Sequence, residues 1–122
     1  MTRPYDKNMP SSTDHPATQP LLMLTTWPER EAAERAAEGW VNKRLAACVN
    51  ILPRMQSIYC WEGELQRGEE HQILIKTDSR RADALQQAIV EAHPYECPEI
   101  IRLEISGGHE PYLNWITTGT PA

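Results

Sequence analysis

Two amphipathic helical patterns, each set between apolar strand patterns in the order strand, helix, strand, strand, helix, strand, predict an α+β fold of the ferredoxin-like (βαββαβ) type. A length of 122 residues suits one domain with a single core and is too short for two. Right-handed crossovers then put both helices on one face of a mostly antiparallel sheet.

Residues 1–20 carry Pro4, Pro10, Pro16 and Pro20 among Ser, Thr and mixed charges, without periodic apolar positions. Such a segment buries too little surface to offset the entropy of ordering its backbone, so a disordered tail is expected there and a folded domain over 21–119. Leu21-Leu22-Met23-Leu24-Thr25-Thr26 is almost continuously apolar, as in a strand buried on both faces. Pro28 suits the first turn of a helix, and Glu29, Glu31 and Glu34 complement the positive end of its dipole. Ala33, Ala36, Ala37, Trp40, Val41 and Leu45 share one face, giving a helix over 29–44 with Lys43 and Arg44 in its last turn. Gly39 inside it costs roughly 1 kcal/mol relative to alanine, and close packing against a neighbour would explain it.

Ala46-Ala47-Cys48-Val49-Asn50-Ile51-Leu52 returns as a strand, which Pro53 interrupts as a bulge or bend. Alternation resumes at Ser57 and runs to Leu65. Gly68 places the turn at 66–69, and the strand comes back over 70–77, making a hairpin that outreaches the body of a small domain. Asp78 or Ser79 caps a second helix with Ala82, Leu85, Ala88, Ile89 and Ala92 as its buried stripe. Pro94 and Pro98 bias His93 and Cys97 toward extended geometry, so the helix ends near His93 and a stiff connector leads into the strand 100–105. After Gly107-Gly108, Pro111 opens a short helix with Tyr112, Leu113, Trp115 and Ile116 on its apolar side.

A net charge of -5 argues against a nucleic-acid partner, which calls for a basic stripe. No run approaches the roughly 18 to 20 apolar residues that span a bilayer, and the N-terminus lacks the apolar core of a secretory signal. Three cysteines without a CxxC pair are expected as reduced thiols, and the protein as cytoplasmic. There is no Gly-x-Ser-x-Gly, His-Glu-x-x-His or paired CxxC signature, and no glycine-rich phosphate loop. A non-enzymatic role is therefore expected. Consecutive apolar positions in the strands ask both sheet faces to leave water, which predicts a homo-oligomer with sheets packed together.

The chemistry concentrates in His93-Pro94-Tyr95-Glu96-Cys97-Pro98-Glu99. Neutral imidazole suits copper and zinc, which makes His93 a metal-ligand candidate. A histidine at a helix C-terminus is equally favoured by the dipole, and on sequence both readings stand. Cys97 is a candidate soft ligand, although Pro94 denies it an i, i+4 clamp with His93. Cys48 reads first as a small buried core residue and is the third metal candidate. Cys60 is expected to pack, and His71 and His109 to face solvent.

Leu45-Ala46-Ala47-Cys48-Val49-Asn50, then Tyr59 with Trp61-Glu62-Gly63, Ile75-Lys76-Thr77, His93-Pro94-Tyr95-Glu96 with Pro98-Glu99-Ile100, and Tyr112-Leu113 with Trp115 stand in an order that resembles the CutA1 family of divalent-cation tolerance proteins. The resemblance covers roughly 21–117. It implies a cytoplasmic, ferredoxin-like homotrimer, similar in architecture to the PII signalling proteins, that binds copper (Cu2+) or another divalent metal ion at subunit clefts. The alternative it leaves is a PII-like regulatory trimer for a small ligand or partner protein, with Lys76, Arg80 and Arg81 placed to meet an anion. The copper ligands proposed in the family are a first-strand cysteine and two adjacent histidines before Pro-Tyr. Here Thr25 and Ala92 stand at two of those three positions, and His93 is the one retained.

Overall fold

The computed structural model describes residues 18–119. Its elements follow the predicted order: β1 (Pro20–Trp27), α1 (Arg30–Asn42), β2 (Cys48–Trp61), β3 (Glu64–Asp78), α2 (Ala82–Ala92), β4 (Ile101–Glu104) and α3 (Glu110–Thr118). The sheet order is β2-β3-β1-β4, and every pairing is antiparallel. Most of the expected N-terminal tail lies outside the described residues. At its inner end Pro20 already pairs with Asp78, and Gln19 and Ser79 exchange hydrogen bonds of 3.0 and 2.8 Å.

Alternation along the central strands sorts side chains between two faces. Leu21, Met23 and Trp27 of β1, with Ile73 and Ile75 of β3, are buried against Ala33, Ala37 and Trp40 of α1 and Leu85 and Ile89 of α2. The opposite face carries Leu22, Leu24, Leu74, Ile101 and Leu103, brought side by side by the pairs Leu22↔Leu103, Leu24↔Ile101 and Leu24↔Leu74. Ile101 and Leu103 are 45% and 43% exposed. The fourth strand is thus a short edge strand with all four residues exposed. Its helix-side residue Arg102 turns to Gln86 (3.1 Å) and Asp83 (2.7 Å) of α2.

Four local expectations are corrected. The hairpin turns at Glu62-Gly63, not at 66–69, because those two residues take positive φ (52° and 81°), as a two-residue turn with the strands' own twist demands. Gly68 instead sits in the ladder opposite Ser57, where a Cβ would stand 3.9 Å from the Tyr59 ring. Val41 is 40% exposed and lies off the buried stripe of α1, and Arg44 leaves the helix with φ 61°. His71 is buried: its Nδ1–H donates to the Leu52 carbonyl at 2.8 Å beside the bulge that breaks the β2–β3 register between Ile51 and Arg54. Cys60, expected to pack, is exposed.

Nothing lies within 4 Å of where a Gly39 Cβ would stand, so packing does not explain this glycine. Gly39→Ala is expected to raise stability by roughly 0.5 to 1 kcal/mol, because only backbone entropy changes. An unchanged or lower chemical-denaturation midpoint would contradict this.

Asp78 ties three elements together. Fully buried at the end of β3, it accepts hydrogen bonds from the Arg80 and Arg81 N–H groups (2.9 and 3.2 Å) and pairs with both guanidiniums at 3.0 and 2.9 Å. Those guanidiniums also donate to the carbonyls of Thr117 and Ile116, each at 2.7 Å, anchoring α3. Lys76 lies 5.6 Å from the Tyr112 ring centroid, which places α3 at the Asp78 end of the second sheet face. Two of the three cations expected to meet an anion, Arg80 and Arg81, are therefore already paired with Asp78.

Candidate cation-accepting cleft

The connector behaves as its prolines dictate. The second helix stops at Ala92, and His93 takes extended geometry (φ -73°, ψ 139°), the preference of a residue before proline. The turn this forces drives the imidazole inward, to 9% exposure. Its Nε2–H donates to the Thr26 carbonyl at 2.6 Å, and its Nδ1 accepts the Tyr95 N–H at 3.0 Å. Those two partners assign the neutral Nε2–H tautomer. Its ring packs 4.3 Å from Trp27 and 4.8 Å from Tyr95, and Trp27 meets Trp40 edge-on at 5.7 Å. A run of four rings thus leads from α1 to the surface.

Tyr95 opens that run into a cleft of about 600 Å³ between the connector and the projecting hairpin, with Thr26 at its floor. The connector contributes Tyr95, Glu96, Cys97 and Glu99. The hairpin contributes Ser57, Tyr59 and Trp61 from one face of β2, with Gly68, Glu69 and Glu70 from β3. Glu70 accepts from the Ser57 hydroxyl at 2.7 Å and from the Tyr95 hydroxyl at 3.4 Å. Burial, then the Glu70 charge and its hydrogen bond, push the Tyr95 phenol above its ordinary pKa, so it stays a proton donor at neutral pH. Glu99 accepts from Gln72 Nε2 at 3.1 Å, and the same amide donates to the Thr25 carbonyl at 2.8 Å. Among the described residues, no lysine, arginine or histidine lines the cleft. Arg54 reaches Glu69 from outside at 3.3 Å.

Of the three candidate metal ligands, only Cys97, an exposed residue, lines the cleft. His93 lies behind the wall with both ring nitrogens engaged, so a metal there must displace one of its partners. Cys48 is half-buried opposite Lys76, with its Sγ 3.9 Å from Asn50 Oδ1. That is nine residues from Ser57 along β2, roughly 30 Å at strand rise. Thr25 is fully buried, and its Oγ1 has no partner among the described residues. No group of three or more His, Cys, Asp or Glu side chains among the described residues is arranged to hold an ion. The described residues of one chain therefore do not present a complete metal site.

Sequence reasoning found the connector but missed the hairpin wall. Ser57, Tyr59 and Trp61 recur at every second position and so share one face of β2, and two aromatic residues in such an alternating run were the available signal.

Fold and cleft together define a ferredoxin-like α+β protein with an acidic, aromatic pocket beside a long hairpin. The profile of the CutA1 divalent ion tolerance protein family matches residues 21–119, and the chain belongs to that family. It is 40% identical over 104 residues to the divalent-cation tolerance protein CutA of Pectobacterium atrosepticum, covering 85% of this chain and 94% of that one. The chloroplastic protein CutA 1 of rice is also 40% identical over 82% of this chain, which spans 56% of the plant protein. The solved structure of the divalent cation tolerance protein (Cut A1) of Thermus thermophilus superposes with a TM-score of 0.79 at 40% identity, covering 83% of this chain and 98% of that one. No helix among the described residues is long and apolar enough to cross a membrane.

Proposed function

We propose that this chain acts as a cytoplasmic homotrimer that binds divalent cations, copper among them, in clefts between subunits, and that it catalyses no reaction. The acidic cleft with an exposed cysteine carries this reading: Cys97 supplies a soft ligand, and Glu96 and Glu99 flank it with negative charge. A neighbouring subunit completes the ligand set that one connector lacks. His93 enters as a positioning residue that holds the Tyr95 N–H, rather than as a ligand. The contiguous apolar face of Leu22, Leu24, Leu74, Ile101 and Leu103 supports assembly, since such a patch is costly on a monomer. Three free cysteines suit a reducing compartment.

The test is a copper titration of the reduced protein against a competing chelator, with Cys97→Ser alongside and the solution mass measured on the same samples. Expected are a mass near three times 13.9 kDa and binding that weakens at least tenfold in the variant. A monomer, or equal affinity in both proteins, overturns the reading. The volume of the cleft favours a second one, a PII-like regulatory trimer, because about 600 Å³ suits a small molecule better than a bare ion.

A further inference from the structure

We infer that His71 is a positioning residue: by holding the bulge of β2, it decides which face of the projecting hairpin meets the cleft. Up to Ile51 the odd-numbered residues of β2 face the helices, since Val49 and Ile51 stand opposite Ile75 and Ile73 and pack against the core. Beyond the bulge the parity reverses. Leu52 and Pro53 together face the single residue Gln72, Arg54 pairs with His71, and Tyr59 then pairs with Gln66 and Trp61 with Glu64. Even-numbered residues of β3 continue the face of Leu74, so Ser57, Tyr59 and Trp61 come round to the side of Glu70 and Tyr95. In an unbroken ladder Tyr59 would stand opposite Leu65, and all three side chains would point the other way.

A bulge leaves its extra residue unpaired, and Pro53 brings no N–H of its own. The donor comes instead from a side chain: His71, 3% exposed, gives its Nδ1–H to the Leu52 carbonyl at 2.8 Å. The other ring nitrogen, Nε2, is buried with no partner among the described residues. An apolar ring would fill this core-side position without an orphaned atom, whose burial is costly. What the imidazole supplies and an apolar ring does not is the bond to the bulge. That bond lies within one chain and its donor is already buried, so a neighbouring subunit packed against the hairpin does not compete with it. The face so chosen matters to any occupant of the cleft, and the role of His71 does not depend on the metal reading above.

The test is amide hydrogen exchange of the metal-free, full-length protein, with cross-strand contacts measured by NMR to fix the register. His71→Phe keeps a ring and removes the donor, whereas His71→Asn puts an amide N–H near the place of Nδ1. Deletion of Pro53 removes the extra residue, so that Leu52 alone faces Gln72 and the hairpin keeps its face in a regular ladder without the clamp. Expected in His71→Phe is exchange over 54–61 at least tenfold faster than in wild type, with α2 unchanged and contacts of Tyr59 to Leu65 joining those to Gln66. His71→Asn should return exchange to within about threefold of wild type. In the chain lacking Pro53, His71→Phe should alter hairpin exchange by less than about twofold, which a plain loss of packing does not give. Hairpin exchange indifferent to His71→Phe, equal acceleration with and without Pro53, or His71→Asn as fast as His71→Phe overturns the inference.

Discussion

Asp78→Asn is expected to destabilise the protein by about 3 kcal/mol, through loss of the charge that two arginines surround. Arg80 is 58% exposed and its pairing is screened, so most of the effect comes from Arg81, 20% exposed and also bound to carbonyls of α3. With the carboxylate gone, the Arg81 guanidinium keeps its carbonyl partners but loses its counter-charge, and α3 loosens from the end of the sheet. Burial pushes the Asp78 carboxyl up, yet hydrogen bonds from Arg80 and Arg81 and the charge of Arg81 outweigh it and hold the group below its ordinary value. A depressed folded-state value means that the contribution is complete above the unfolded value near about 4 and fades as pH falls through the folded one. The gap between wild type and variant should therefore be constant from pH 6 to 8 and narrow below about pH 4. Urea denaturation at fixed protein concentration across that range measures it. A gap that widens on acidification would refute the assignment.

His93→Ala is expected to cost about 3 kcal/mol, whether or not metal is present. It strips the Thr26 carbonyl and the Tyr95 N–H of their partners and opens a hole beside Trp27. The connector then loses the contact that aims Tyr95 at Glu70. Any loss of copper binding in this variant mixes ligand removal with collapse of the wall. Cys97→Ser alters an exposed residue and should stay within about 0.5 kcal/mol of wild type, so it reports on ligation alone. Parallel melts of the two variants check this: an undisturbed His93→Ala would mean that the buried imidazole positions nothing.

The contrast between these residues shows what was legible in the sequence. Pro94 and Pro98 announced a rigid connector, and the structure keeps it. They could not show that the same geometry buries His93, because burial depends on Trp27 and Thr26, which lie far back along the chain at the end of β1. The hairpin was foreseen but its turn misplaced, since a lone Gly68 reads as a turn until the ladder shows Trp61 paired with Glu64. Lys76, Arg80 and Arg81 form a basic cluster in sequence, yet only the fold reveals that Asp78 and the carbonyls of α3 occupy the arginines.

The sequence by itself determined the order of elements, the bulge at Pro53, the helix end at His93 and the family. Those depend on local backbone preference and hydrophobic period, which act between neighbours along the chain. Only the tertiary structure decided which side chains share the cleft, which histidines are buried and that Cys48 stands apart from Cys97. These depend on the register of long strands, where one residue of slip exchanges every inward side chain for an outward one.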